Sequence, residues 1–218
     1  MLELRKYTYA ELSAYLRANR NQTIERKLER YGIEFSGDGY GNAKTYTITA
    51  IPYPFKVFCV FDLNFPPQTD FVKLRDFLFY LLGDEVFCGL PMEVMEEYLR
   101  MGGHGASRQT ISNYIRRLED NELIHLGGEY VYYRVYKEFG VQTHQTITRE
   151  EYCEAWKIYF DCKARHYDSR ASYSCMYNKF GGVPRKQRKI EGNAFHADEL
   201  NTLEKMVMES FSADYHEE

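Results

Sequence analysis

The chain has 218 residues, of which 44% are hydrophobic and 28% charged, and its formal net charge is −4. This composition supports a packed core in one to three domains, and no apolar run is long enough for a transmembrane helix. Proteins that coat nucleic acid without regard to sequence are usually basic, so that class is disfavoured, whereas a site-specific reader with local basic faces is not. The first residues lack a signal-peptide pattern, and the five cysteines form no Cys-x-x-Cys pair. We therefore expect a cytoplasmic protein with reduced thiols.

Residues 1–53 are predicted to form a compact first module of helix, turn, helix and hairpin. Thr8 and Glu11 have the spacing of a capping box, which opens a short helix. A second helix follows a brief turn and ends before Gly32, a residue suited to a left-handed C-cap. Residues 33–51 then alternate apolar and polar side chains around a glycine-rich loop, as a β-hairpin does.

The outer face of the second helix in this module mixes groups that favour DNA with groups that oppose it. Amide, hydroxyl and guanidinium groups can bind base edges and phosphates, whereas the carboxylates of Glu25 and Glu29 repel phosphates. The sequence therefore leaves open whether this module touches DNA. Its candidate contacts are Gln22, Thr23, Arg26 and Arg30.

Residues 54–69 are predicted as a strand followed by a linker. The apolar run from Phe55 to Phe61 is rich in β-forming residues, and Pro66 and Pro67 follow it. A buried strand is the expectation for such a short run.

Residues 70–140 are predicted as a second module of helix, turn, helix and hairpin. Ser107 is suited to cap its last helix, because its hydroxyl can accept the free amides of a first turn. Ile111, Ile115 and Leu118 recur on one face of that helix, which predicts a buried stripe. The helix also presents side-chain types that bind base edges and phosphates. The candidate DNA contacts are Ser107, Arg108, Gln109, Thr110, Ser112, Asn113, Arg116 and Arg117.

A glycine turn and an alternating strand are predicted after this helix. Gly127 and Gly128 would make the turn, and the strand carries Tyr130, Tyr132 and Arg134 at alternate positions. A helix with a polar, basic outer face followed by a hairpin is the pattern of a winged helix. The second module is thus expected to place this helix in the major groove of DNA.

Residues 141–218 are predicted as a C-terminal helical region. Thr148 and Glu151 have capping-box spacing, and Asp168 can cap a further helix. Residues 179–189 are predicted as a basic loop, either a solvated charge run or a clamp on backbone phosphates. The candidate phosphate contacts are Arg185, Lys186, Arg188 and Lys189.

A short internal repeat links the two modules. Tyr15-Leu16-Arg17 is followed after four residues by Gln22-Thr23-Ile24, and Tyr98-Leu99-Arg100 is followed after eight by Gln109-Thr110-Ile111. Short matches arise by chance between amphipathic helices, but the identical placement relative to turn and hairpin favours a tandem pair. The sequence therefore predicts a helix-rich α+β protein with two winged helix-turn-helix modules plus the C-terminal helical region.

Residues 70–137 resemble the winged-helix domains of replication initiators from plasmids and mobile elements of Gram-positive bacteria. The resemblance rests on the segment SRQTISNYIRRLEDNELI, which begins at Ser107, and on the Gly-Gly pair after it. Two winged helices in tandem are also similar to the architecture of plasmid initiators and some phage replisome organisers. The resemblance implies sequence-specific binding of double-stranded DNA in replication initiation or transcriptional control of a mobile element, with the contacts on the helix after Ser107.

Other functional classes are disfavoured by the motifs that the sequence lacks. Neither a G-x-S-x-G nucleophile motif nor a phosphate-binding G-x-x-x-x-G-K-[ST] loop occurs, so neither catalysis nor a cofactor is expected. Cys153, Cys162 and His166 lie on one predicted helix without paired zinc-ligand spacings, so no metal site is expected. The alternative is a non-catalytic docking module, because winged helices also bind proteins. Besides double-stranded DNA, the partners expected are a second copy of the chain and a replication or transcription protein.

Overall fold

The computed structural model describes residues 1–165 and 167–212. Within these ranges the protein is a helix-rich α+β chain with two three-stranded antiparallel sheets. The described residues form two compact units: 1–71 together with 201–212, and 72–200 apart from residue 166. None of the described helices has the length and apolar character needed to cross a bilayer.

The first unit contains one antiparallel sheet and the helices connected to it. Its elements before residue 62 are β1 (Lys6–Thr8), α1 (Tyr9–Tyr15), α2 (Asn21–Arg30), β2 (Glu34–Asp38), β3 (Thr45–Ala50) and α3 (Pro54–Phe61). The strands lie in the order β1-β3-β2, so β1 completes the sheet beside the β2–β3 hairpin. Helices α1 and α2 fall between β1 and the hairpin, which gives the order helix, turn, helix, hairpin.

Local sequence signals set the helix ends of the first unit. The Glu11 amide donates to the Thr8 hydroxyl at 3.3 Å and the Thr8 amide donates to the Glu11 carboxylate at 2.7 Å, which confirms the capping box. These bonds from Thr8 lower the pKa of Glu11 to about 2. Leu12 and Ile24 are fully buried, as their helical spacing predicts. Gly32 has a φ of 64°, the left-handed conformation expected at that C-cap.

The predicted strand from Phe55 to Phe61 is wrong, because these residues form the helix α3. Phe55, Val57, Phe58, Cys59 and Val60 are all buried, so the run shows neither the period of an amphipathic helix nor that of a half-buried strand. Pro54 occupies the first turn, where a helix tolerates proline best. Tertiary burial on nearly every side has overridden the β-propensity of the run.

The second unit combines helices with the second sheet. Its elements are α4 (Phe71–Gly83), α5 (Met92–Met101), α6 (Arg108–Asp120), β4 (Ile124–Glu138), β5 (Val141–Ile147), α7 (Arg149–Ala164), α8 (Ser169–Phe180) and β6 (Val183–Gly192). A last helix, α9 (Ala197–Ser212), begins in this unit and continues in the first from Asn201.

The apolar stripe predicted on α6 is buried. Ile111, Ile115 and Leu118 are at most 5% exposed, and Tyr114 lies beside them with its ring centroid 5.5 Å from that of Phe77 on α4. Helix α6 also packs against α5. Because one side of α6 is fixed in the core, its opposite side faces outward.

Strand β4 has 15 residues and pairs with β5 on one edge and with β6 on the other. Alternate residues therefore lie on two faces of the sheet. On the inner face, which we define by Tyr133 and Val135, the Tyr133 hydroxyl donates to the Gly89 carbonyl at 2.7 Å. On the outer face, which we define by Tyr130, Tyr132 and Arg134, the ring of Tyr132 lies 5.0 Å from that of Tyr152 on α7.

Two predictions about this region are wrong. Gly127 and Gly128 lie inside β4 and form no hairpin turn. A Cβ at Gly127 would come 2.8 Å from a carboxylate oxygen at the flexible end of the Glu191 side chain, and 3.3 Å from the Lys189 carbonyl oxygen, so the strands approach closely there. The predicted basic loop of residues 179–189 is a strand from Val183 onward, because it belongs to β6. Since β5 also lies after residue 140, the predicted C-terminal helical region contains strands as well as helices. The predicted caps at Thr148 and Asp168 are confirmed.

The hairpin turn lies instead at Phe139 and Gly140, between β4 and β5. Their φ angles are 50° and 85°, as a two-residue type I′ turn requires. Phe139 is 99% exposed. A phenylalanine in the left-handed region costs stability because its Cβ crowds the backbone, and an exposed ring contributes no burial to offset that cost.

We predict that Phe139→Asn stabilises the protein by about 0.5–1 kcal/mol, because asparagine followed by glycine is favoured in type I′ turns. The midpoint of urea unfolding, followed by circular dichroism, measures the change. Phe139→Val is the control, since a β-branched residue is also strained at positive φ. Equal stabilisation by both substitutions would contradict the role assigned to the backbone.

Candidate nucleic-acid interface

Helix α6 displays most of the predicted DNA contacts on its solvent side. The Thr110 amide donates to the Ser107 hydroxyl at 3.3 Å, which confirms the N-cap. Thr110 and Arg117 are half-buried. The exposed members of the predicted set on the helix are Arg108, Gln109, Ser112, Asn113 and Arg116.

Two arginines on this surface retain free charge. Among the described residues, no carboxylate lies within ion-pairing distance of the guanidinium of Arg116 or Arg117. The Gln109 amide donates to the Asn113 side-chain oxygen at 3.3 Å, so these two polar groups are aligned one turn apart. The surface thus offers two unneutralised guanidinium groups and two amides, which are the groups that bind phosphates and base edges.

Arg108 and Ser107 serve the fold as well as the surface. Arg108 lies 3.2 Å from Glu96 and 3.7 Å from Glu93, both on α5, so its charge is offset. The Ser107 hydroxyl lies 2.9 Å from that of Thr110 in addition to capping the helix. The contacts of Arg108 hold the start of α6 against α5, whereas the unpaired Arg116 and Arg117 lie in the second half of α6.

The turn between α5 and α6 is anchored to α4. Nδ1 of His104 lies 2.7 Å from a carboxylate oxygen of Asp76, and Asp76 is only 7% exposed. The histidine side chain remains half exposed. A hydrogen bond to a nearly buried carboxylate restricts the turn, and therefore the direction in which α6 leaves it.

The four cations predicted on a loop lie on β6 and have different partners. Arg185 donates to Glu93 at 2.6 Å, and Lys189 lies 3.9 Å from the exposed Glu85. Lys186 and Arg188 instead lie against the ring of Tyr130. Strand pairing therefore gives the four cations different surroundings: Arg185 is neutralised by a carboxylate, Lys189 is loosely paired, and Lys186 and Arg188 lie beside an aromatic ring.

In the first unit, α2 presents the other predicted contacts. Gln22, Arg26 and Arg30 are exposed, and Thr23 is half-buried. Glu25, one of the two carboxylates expected to oppose DNA, is paired with Lys44 at 2.6 Å. That ion pair joins α2 to the start of β3 and reduces the negative charge on this surface.

The repeated segments occupy corresponding places in the two units. Ile24 on α2 and Ile111 on α6 are both fully buried, and each helix follows a packed partner, α1 or α5. In both units a β-hairpin comes next, β2–β3 or β4–β5. The short sequence matches thus coincide with the same order of elements.

Two residues important for the surface were not predicted from the sequence. Glu93 offsets both Arg108 and Arg185, and Tyr130 lies against two cations of β6. The alternating pattern of the sequence predicts that Tyr130 lies on a strand, but no signal near Tyr130 in the sequence indicates that β6 is the neighbouring strand. The ion pairs of Glu93 likewise depend on how α5, α6 and β6 pack.

No group of three metal-ligating side chains occurs within the part of the chain that the structure describes. His166, considered above with Cys153 and Cys162, lies outside the described residues. Comparison of the chain with protein-family models, with curated proteins and with solved structures gives no significant match.

We predict that Glu93→Gln lowers the free energy of unfolding by about 1–3 kcal/mol, because two arginines then lose a largely buried charged partner. Urea unfolding followed by circular dichroism measures the loss. Glu96→Gln is the matched control, since Glu96 is more exposed and pairs, among the described residues, with Arg108 alone; its cost should be about 0.5 kcal/mol. If both substitutions cost the same, Glu93 does not link α6 and β6 to α5.

Proposed function

We propose that this protein binds double-stranded DNA at specific sequences, with α6 entering the major groove. The proposal is carried by Arg116 and Arg117, whose guanidinium groups have no carboxylate partner among the described residues and lie on the same helix as exposed amides. A helix of 13 residues is about 20 Å long and fits the groove along its length. Its buried stripe leaves the polar side available.

The side chains on α6 suit direct readout of bases. An arginine can donate two hydrogen bonds to guanine, and asparagine or glutamine can bond both edge groups of adenine. Arg116 and Arg117 would bind guanine edges or phosphates, and Gln109 and Asn113 would contact adenine. Ser112, also exposed, is suited to a phosphate.

The order of elements supports two winged-helix modules. In the first unit, α1 and α2 precede the β2–β3 hairpin, and in the second, α5 and α6 precede the β4–β5 hairpin. In this proposal α2 and α6 are the reading helices and the hairpins are the wings. Gln22, Arg26 and Arg30 give α2 a weaker DNA-binding surface than that of α6, because Glu29 remains exposed among them.

The process proposed is replication initiation or transcriptional control of a mobile element in the bacterial cytoplasm, without catalysis by this chain. This part rests on the sequence resemblance of residues 70–137 to winged-helix replication initiators. A net charge of −4 is compatible with it, because local basic surfaces suffice: Arg116 and Arg117 on α6, and Lys186 and Arg188 on β6, have no carboxylate partner among the described residues. Local positive surfaces can bind DNA while the remaining surface opposes non-specific coating.

Selection from a random pool of duplexes at near-physiological salt, read by electrophoretic mobility shift, tests the proposal. Enrichment of a repeated or palindromic site is expected, and the spacing of its halves would report how modules or subunits are arranged. Absence of any shift, even at low salt, would reject DNA binding. A protein-docking role would then be the better account of the acidic chain.

We predict that the double substitution Arg116→Ala and Arg117→Ala weakens binding to the selected site by at least about 30-fold, because two contacts worth about 1–3 kcal/mol each are removed. Fluorescence anisotropy with a labelled duplex measures the loss. Lys157→Ala with Arg170→Ala removes the same charge from exposed positions on α7 and α8 and should change binding little. Equal losses in the two double variants would indicate a general charge effect and not a reading helix.

A further inference from the structure

A tyrosine and two cations form a cluster on the outer face of the second sheet. Nζ of Lys186 lies 4.5 Å and Cζ of Arg188 lies 5.0 Å from the ring centroid of Tyr130. Arg188 also donates to the Tyr130 hydroxyl at 3.1 Å. The cluster is held by strand pairing, since Tyr130 is opposite Arg188 and Lys186 is opposite Tyr132. We call it the Tyr130 cluster.

The cations of this cluster are not neutralised. Within the described ranges, neither Lys186 nor Arg188 has a carboxylate within ion-pairing distance, in contrast to Arg185 and Lys189 on the same strand. The bond from Arg188 and the nearby charge of Lys186 lower the pKa of Tyr130. Tyr130 is nevertheless 40% exposed, so part of its ring remains open to solvent. The cluster therefore combines positive charge with accessible aromatic surface.

The Tyr130 cluster lies on the opposite side of the sheet from the contacts that join the sheet to α5. Tyr133 on β4 and Arg185 on β6 are paired across the strands and lie on the inner face. There the Tyr133 hydroxyl bonds to the Gly89 carbonyl, and Arg185 bonds to Glu93 on α5. Because side chains alternate along a strand, Tyr130, Lys186 and Arg188 point the other way. The cluster is thus separate from the surface of α5 and α6.

We propose that the Tyr130 cluster is a binding site for single-stranded nucleic acid, with a base stacked on the Tyr130–Arg188 pair and adjacent phosphates bound by Lys186 and Arg188. This site goes beyond the duplex binding proposed for α6 and does not depend on it.

The chemistry favours a single strand over a duplex. Aromatic and guanidinium groups bind bases through their flat faces, and such stacking with a basic surface is how proteins hold single strands without sequence preference. Bases inside a duplex are already stacked on both sides, and Tyr130 lies in the body of the sheet, where it cannot be inserted between them. A base freed from a duplex has an open face and can stack on the cluster.

Fluorescence anisotropy of the full chain with a labelled oligothymidylate of about 15 nucleotides tests the site, with oligouridylate and a duplex of the same length measured in parallel. Tyr130→Ala is expected to weaken single-strand binding by about 5- to 150-fold, the range for loss of one stacked base. Tyr130→Phe, which keeps the ring, should bind almost as the unaltered protein does. Lys186→Gln with Arg188→Gln should weaken binding and flatten its dependence on salt. The two oligonucleotides show whether the strand is DNA, RNA or either.

Lys157→Gln with Arg170→Gln is the control for charge, because it removes two exposed cations from α7 and α8. Circular dichroism of each variant confirms that the fold is retained. No binding of either single strand by the folded protein would overturn the inference. So would equal losses for single strand and duplex in Tyr130→Ala, which would make the cluster a backbone clamp. Duplex binding that is lost in the Arg116 and Arg117 variant but retained in Tyr130→Ala keeps the two proposals separable.

Discussion

Pairing of β4 on both of its edges is the constraint on which the second unit depends. A strand hydrogen-bonded to β5 and β6 cannot rotate, so each residue is committed to one face. Tyr133 is thereby fixed toward Gly89 and the helices, and Tyr130 is fixed on the outer face. A shift of one residue in the register with β6 would exchange Arg185 with Lys186. It would separate Arg185 from Glu93 and Lys186 from Tyr130 at the same time.

Electrostatics then decides which cations remain available to a ligand. Glu93 forms ion pairs with Arg185 and Arg108, and these ion pairs connect α5 to β6 and α6. Arg116, Arg117, Lys186 and Arg188 lie beyond the reach of carboxylates among the described residues. An acidic chain can present local positive surfaces in this way, because ion pairs neutralise some of its cations and leave others, such as these four, without a partner.

The two proposed surfaces differ in shape as well as in position. A helix with amides and arginines in a row matches a groove lined by base edges, whereas an aromatic ring on a sheet matches the flat face of a free base. A protein with both could hold a duplex site through α6 and a separated strand through the Tyr130 cluster. The two proposals together would fit a protein that acts where DNA opens, so the replication role proposed above agrees with them better than transcriptional control does.

Signals that act over a few residues were sufficient to predict much of the local structure. The caps at Thr8, Ser107 and Asp168 and the buried stripe of α6 follow from hydrogen bonds and periodicity within one helix, and so do the exposed side chains of that helix.

Other features depend on partners distant in sequence. The sequence predicts a loop where β6 forms, because the ladder to β4 joins residues about 60 positions apart. It predicts a strand where α3 forms, because that helix is buried on nearly every side. The sequence by itself therefore determined where helices begin and which face of α6 is polar. Only tertiary packing decided which arginines Glu93 neutralises and which cations lie beside Tyr130, because both depend on which elements pack together.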